Sequence, residues 1–165
     1  MPHPACLPVA ELLRECSETR TRRGGPGGQH RNKVATAVVL VHEPTGVVAE
    51  ASERRSQAEN RRVAVRRLRL LLAVTHREPP AALPSELWRS RVRGGRLAIS
   101  VAHDDFPAVV AEALDTLAAV NFSLRDAAAS LGVSGSQLTR LLRRDPAAWT
   151  QLNRLRERAG LPPLV

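Results

Sequence analysis

The stretch of this 165-residue chain best equipped for chemistry is GGPGGQHRNK, residues 24–33. It sets four glycines and a proline ahead of a glutamine, a histidine and two cations. No helix or strand interior accommodates that glycine density, because glycine gives up the most backbone freedom on folding. The Gln29 amide does not titrate, so it cannot serve as a general base at neutral pH. It can orient a water molecule, and a backbone N–H beside flexible glycines can stabilise an oxyanion. Gly27 and Gly28 permit positive φ and a close backbone approach to a substrate. Arg22, Arg23, Arg31 and Lys33 would hold a phosphate backbone nearby. These residue types suit hydrolysis of an acyl ester on a nucleic acid, with water as the nucleophile. Two familiar glycine-rich sites fit worse. A P-loop needs a Lys-Ser/Thr pair opening a helix. A dinucleotide site needs glycines at its first, third and sixth positions. A plain linker is the structural alternative, although linkers rarely carry Pro, Gln and His together.

The loop must be held by something. Before it, residues 8–15 predict a short helix with Pro8 at its start, and residues 16–22 look extended. After it, VATAVVLV, residues 34–41, is β-branched and apolar on both faces, which predicts a strand buried on both sides. EPTG, residues 43–46, is a turn, with Pro44 presetting φ and Gly46 closing it. VVAEA, residues 47–51, returns as the partner strand. From Arg54 to about Thr75 the pattern is helical. Ala64, Leu68, Leu71 and Leu72 recur at three- and four-residue spacing, and Arg61, Arg62, Arg66 and Arg69 take the other faces. The arginines of this helix are either a solvated face or an RNA contact. Gln57 and Asn60 either help fix the RNA-binding helix start or simply cap it.

GGPGGQHRNK resembles the Gly-Gly-Gln loop of the bacterial class I peptide chain release factors. The likeness continues through AVVLVHEPTGVVAEASERRSQAENRRVA, residues 37–64, with its His-x-Pro-Thr-Gly turn and Arg-Ser-Gln-x-x-Asn-Arg helix start. It covers roughly residues 14–74. In that family the loop enters the peptidyl-transferase centre and the glutamine helps water cleave the ester of peptidyl-tRNA. Carried over, the resemblance implies catalytic Gln29 with the glycine pair Gly27 and Gly28, and loop support from Gly25, Pro26, His30, Asn32 and Lys33. It also makes a glutamine methyltransferase a candidate partner, acting on Gln29. This sequence departs from the family where Arg23 and Gly24 replace a Ser-Ser or Ala-Ser pair. It departs again where Arg31 replaces Val or Ile, which turns an apolar loop anchor into a charge. The flanking sequence does not resemble stop-codon-reading domains, and the end LPPLV lacks the basic tail of the small rescue hydrolases. The expected likeness is to short, codon-independent members that rescue stalled ribosomes.

Beyond residue 76 the chain changes character. REPPAALPSE, residues 77–86, holds three prolines and reads as a linker, and residues 96–102 suggest one more short strand. Residues 106–120, 123–131, 134–144 and 146–160 read as four helices. Ser123 and Ser134 are their N-caps, and Pro146 sits in a first turn. LRDAAASLGVSGSQLTRLL fits helix-turn-helix spacing, with small Ala128, turn glycine Gly132, and apolar Leu138 and Leu141. On that reading Gln137, Arg140, Arg143 and Arg144 face a nucleic acid. The alternative is a compact helical bundle with exposed arginines, or a protein-contact module. Trp88 and Trp149 are expected as core anchors.

Composition narrows the function classes. The formal net charge is +9 and the calculated pI about 11.4, which points to a polyanionic partner, ribosomal RNA and peptidyl-tRNA on this reading. Lys33 is the only lysine. Cys6 and Cys16, taken with His3 or His30, make neither a disulfide framework nor a zinc spacing, so no metal and no organic cofactor is implied. No apolar run is long enough to span a membrane, and the N-terminus lacks a secretory signal, so a soluble, cytoplasmic monomer is expected. The fold expected is α+β: a release-factor catalytic domain over 1–76, a linker with a short strand over 77–102, and a helix-turn-helix-like domain over 103–165. A non-catalytic ribosome- or RNA-binding protein is the second functional reading. A DNA-binding regulator, suggested by the last helices alone, is the third.

Overall fold

The computed structural model describes residues 2–21, 36–80 and 82–165. It is a mixed α/β structure with a small antiparallel sheet and several helices, as an α+β class requires. The chain forms two compact units, one of Leu7–Leu72, the other of Met1–Cys6 together with Ala73–Val165. The first six residues belong with the second unit, which the sequence does not foretell.

In the Leu7–Leu72 unit, helix α1 (Val9–Arg14) follows Pro8 and leads into strand β1 (Cys16–Thr21). Strands β2 (Ala37–His42) and β3 (Val47–Ala51) complete a three-stranded antiparallel sheet in the order β1-β2-β3. Helix α2 (Gln57–Thr75) follows. Glu18, Leu40 and Ala49 share one row of the register and so one face of the sheet. Arg61 of α2 binds Glu18, which places α2 on that face. Val38, Leu40, Ala49 and Ala51 of the sheet and Ala64, Leu68 and Leu72 of α2 are all nearly or wholly buried and form the core. The expectation of a strand buried on both sides needs correction. Val38, Leu40 and His42 are buried, whereas Val39 and Val41 on the opposite face are only half-buried.

The turn between β2 and β3 follows its sequence closely. Gly46 takes φ +69° and donates to the His42 carbonyl at 2.8 Å. Below the turn the His42 ring is 1% exposed. It bridges Thr45 Oγ1 at 2.7 Å and Glu15 Oε2 at 3.0 Å, tying the turn to the end of α1.

The second unit is built on helix α4 (Phe106–Ala119), buried along nearly its whole length. Around it lie α3 (Glu86–Arg91), α5 (Leu124–Leu131), α6 (Gly135–Arg143) and α7 (Pro146–Arg158). Ser85, Ser123, Ser134 and Asp145 each cap the following helix by accepting a backbone N–H three residues on. Gly132 ends α5 at φ +64°, the left-handed stop expected of it. Arg156, nearly buried, donates to the carbonyls of Phe122 at 2.7 Å and Pro162 at 3.0 Å, which folds the last residues back on α7.

Two findings correct the reading of residues 77–102. Helix α3 forms at the end of the proline-rich stretch because Ser85 caps it and Trp88 is wholly buried, its Nε1 donating to the Leu131 carbonyl at 2.8 Å. The strand expected over 96–102 is only Arg96–Leu97 (β5), paired with Val92–Arg93 (β4) around a Gly94-Gly95 turn. Both glycines have positive φ, 54° and 71°, which a two-residue hairpin turn of this hand requires. Among the described residues, no helix is long and apolar enough to cross a membrane.

Candidate functional site

The segment that carries Gly-Gly-Gln connects β1 to β2. Arg22, Arg23, Gly25, Pro26, Gly27, Gly28, Gln29, His30, Arg31, Asn32 and Lys33 lie outside the described residues. The structure shows what holds the two ends of that segment. Thr21 and Ala37 are register partners, so the chain leaves the sheet and re-enters it on neighbouring strands. Asn60, in the first turn of α2, is wholly buried. Its Nδ2 donates to the Thr36 carbonyl at 2.7 Å and to the Arg54 carbonyl at 2.9 Å. Its Oδ1 accepts the Arg54 N–H at 2.9 Å. One amide therefore clamps the start of α2 to the residue before β2. Of the two roles the sequence left open for Asn60, the structure shows the local one, extended across 24 residues of chain.

Two arginines of α2 make carboxylate pairs within the unit. Arg61 Nε donates to Glu18 Oε2 at 2.7 Å, and Arg20 reaches the other oxygen at 3.3 Å. The bond from Arg61 holds the Glu18 carboxyl below the usual carboxylate range. Arg67 makes a two-pronged pair with Glu53, at 2.7 and 3.2 Å, and also reaches the Glu50 carbonyl at 2.7 Å. Arg62 and Arg66 are exposed on the same helix. Arg69, expected on an open face, is 9% exposed.

The basic positions expected on the C-terminal helices behave differently from one another. Arg143 lies over the Trp149 ring, 4.7 Å from its centroid, and donates to the Val165 carbonyl. Trp149 is half-buried beneath it, whereas Trp88 is a true core anchor. Arg144 donates to the Ile99 carbonyl. Arg140 is exposed. Gln137, expected on a nucleic-acid surface, is engaged within the protein, where it binds the backbone of the β4–β5 hairpin. Sequence reasoning missed three features of these sites. It missed the Glu18–Arg61 pair and the His42 bridge, which join residues far apart in the chain. It also missed the basic hairpin, for which VRGGRL was the available signal.

A small antiparallel sheet, packed against a basic helix, joins its first two strands through the segment that carries the glycine-rich motif. The profile of the RF-1 domain family matches residues 13–95, half of the chain, and the chain belongs to that family. The match runs past residue 74, where the motifs read from sequence stopped. Peptide chain release factor 1 of Symbiobacterium thermophilum is 37% identical over 86 residues, which are 52% of this chain and 24% of that protein. The mitochondrial peptide chain release factor 1-like protein of Mus musculus is 35% identical over 82 residues, 50% of this chain and 22% of that one. An uncharacterised mitochondrial peptide chain release factor-like protein of Saccharomyces cerevisiae is 41% identical over 81 residues, 48% of this chain and 51% of that one. This chain thus spans about a quarter of the first two relatives and about half of the third.

Proposed function

We propose that this chain hydrolyses the ester of peptidyl-tRNA on the ribosome without reading a codon. The observation that carries the reading is the RF-1 match across the Gly-Gly-Gln segment, whose flanks are fixed by strand pairing and by buried Asn60. Gln29 positions the attacking water. Gly27 and Gly28 let backbone approach the ester, so that an N–H can meet the developing oxyanion. Arg22, Arg23, Arg31 and Lys33 hold nearby phosphates, and Arg62 and Arg66 add RNA contacts from α2. Arg61 contributes through the N–H groups that Glu18 leaves unused.

The test is release of labelled peptide from ribosomes programmed with a stop codon, a sense codon or a truncated message. Comparable release on the sense and truncated messages is expected. Release on the stop codon alone overturns codon independence. Release on none of the three, with ribosome binding intact, makes the chain a non-catalytic ribosome-binding protein.

A further inference from the structure

Arg93 and Arg96 face each other directly across the β4–β5 hairpin. Like charges opposed on neighbouring strands destabilise the pair, and both side chains are exposed. Among the described residues no acidic side chain pairs with either of them. The turn between them, Gly94-Gly95, has no side chains, so nothing screens the two guanidinium groups from a ligand. Such an arrangement lacks an internal counter-charge and calls for an external anion.

The hairpin is also fixed in place. Gln137 Oε1 accepts the Leu97 N–H at 2.6 Å, and Nε2 donates to the Gly95 carbonyl at 2.7 Å. Both bonds run from the first turn of α6. Leu97, Ile99, Gln137, Arg140 and Arg144 line one cleft of about 50 Å³, so Arg140 stands beside the hairpin base. Arg144 binds a backbone carbonyl there, which orients the guanidinium and leaves its charge uncompensated. The second unit thus carries a rigid basic ridge of Arg93, Arg96, Arg140 and Arg144.

We infer that this ridge binds the sugar–phosphate backbone of an RNA helix. Single-stranded nucleic acid is held largely by stacking on exposed aromatic side chains, and the ridge offers none. Trp88 and Phe106 are wholly buried, Trp149 is covered by Arg143, Phe122 is half-buried and is not among the residues that line the cleft, and the chain has no tyrosine. A ridge of guanidinium groups without a stacking platform suits duplex backbone, which is recognised by shape and phosphate contacts. The choice of RNA over DNA rests on the ribosomal reading above. Gln137 is a positioning residue here, holding the hairpin to α6 while the arginines make contact.

The experiment uses the full chain and a fluorescent RNA duplex of about 16 base pairs, with a DNA duplex and a single-stranded RNA of matched sequence. Binding is followed by anisotropy over a range of salt. Removing two phosphate contacts with Arg93→Ala/Arg96→Ala should lower the log–log salt slope by nearly 2 units. Affinity lost between about 50 and 200 mM salt should then fall roughly tenfold less than for the parent. Arg140→Ala should lower the slope by about 1. Arg154→Ala/Arg158→Ala removes the same charge from α7 and should leave the slope near that of the parent. In a Gln137→Met background the hairpin substitutions should matter less than in the parent. An unchanged slope for Arg93→Ala/Arg96→Ala, or an equal drop for the α7 control, overturns the ridge. Tighter binding of the single strand overturns the duplex, and tighter binding of DNA overturns RNA as the partner. Peptide release at saturating protein is measured beside it. A parent that binds duplex RNA but releases no peptide sinks the hydrolase reading and leaves the ridge standing.

Discussion

Two amide side chains do similar work in the two units, and their surroundings differ. Asn60 and Gln137 each sit in the first turn of a helix and each clasp the backbone of a β connection. In each case a Gly-Gly pair lies in that connection, Gly27-Gly28 between β1 and β2 and Gly94-Gly95 between β4 and β5. Asn60 is wholly buried and makes three hydrogen bonds, whereas Gln137 is only half-buried and makes two. Water can replace the bonds of Gln137 far more easily than those of Asn60. A clamp of the same kind is therefore indispensable to the fold in one unit and a local positioning device in the other.

The comparison extends to the arginines. On α2, Arg61 and Arg67 meet carboxylates, Glu18 and Glu53. On α6, Arg143 and Arg144 meet carbonyls, and Arg143 also meets a ring face. A carboxylate partner neutralises a guanidinium. A carbonyl orients it and leaves the charge in place for an outside anion. The partner, and not the arginine itself, thus sets how much charge each helix offers.

The largest effect expected on stability is at Asn60. Asn60→Ala leaves the Thr36 and Arg54 backbone groups without their partner and should cost about 2–4 kcal/mol in chemical denaturation. Gln137→Met should cost about 1 kcal/mol, because its partners are reachable by water. Equal costs would end the distinction between the two clamps.

The glycine pairs offer the next test. If φ at Gly28 is positive, Gly28→Ala should cut single-turnover peptide release roughly tenfold, the equivalent of the about 1–2 kcal/mol that a Cβ then costs. Ribosome affinity should hardly change. Gln29→Ala keeps its backbone N–H and should lose less. Gly95→Ala meets no neighbouring atom, so its strain at φ +71° is a backbone matter. It should lower stability by about 1 kcal/mol and leave release at the parental rate.

Acid acts differently on the two units. Burial lowers the His3 pKa to about 4 and raises that of Asp115 to about 6, and both residues belong to the second unit. The His3 ring accepts the Ala5 N–H at Nδ1, and its Nε2 faces the His76 carbonyl, so the neutral form is held. As pH falls from 6 to 4 the unfolded chain protonates at His3 before the folded one, and stability drops. Over the same range the folded chain protonates at Asp115 first, and stability rises. The two contributions oppose, so the parent should be nearly flat there. His3→Asn should instead gain stability on acidification, by up to about 1.4 kcal/mol per pH unit. In the Leu7–Leu72 unit, Glu18 is held below its ordinary value by Arg61, so its contribution is lost only as pH falls through and below the usual carboxylate range. Thermal melts from pH 7 down to about 3 read both. A His3→Asn variant that loses stability on acidification between 6 and 4 would contradict the assignment.

The smallest effect is a gain. Arg96→Thr removes the repulsion across the hairpin and should raise stability by about 0.3 kcal/mol while weakening RNA binding. A loss of stability would mean that the opposed arginines are already satisfied within the protein.

Much of this molecule was legible in the amino-acid sequence because the controlling interactions are local. The turn at Gly46, the caps Ser123 and Ser134, the stop at Gly132 and the strand Val47–Ala51 all depend on residues within a few positions of each other. The Gly-Gly-Gln segment and its flanking motifs form a linear pattern, and the RF-1 match spans the same residues. Tertiary structure alone decided what long-range pairing governs. Composition does not say that Glu18 neutralises Arg61 across 43 residues, or that the first six residues pack with the second unit. Nor does it say that Gln137 faces inward to a hairpin 40 residues earlier, while Arg93, Arg96 and Arg140 stay exposed. A side chain's type fixes what bonds it can make, but which partner it meets depends on chain closure over distances that no local rule contains.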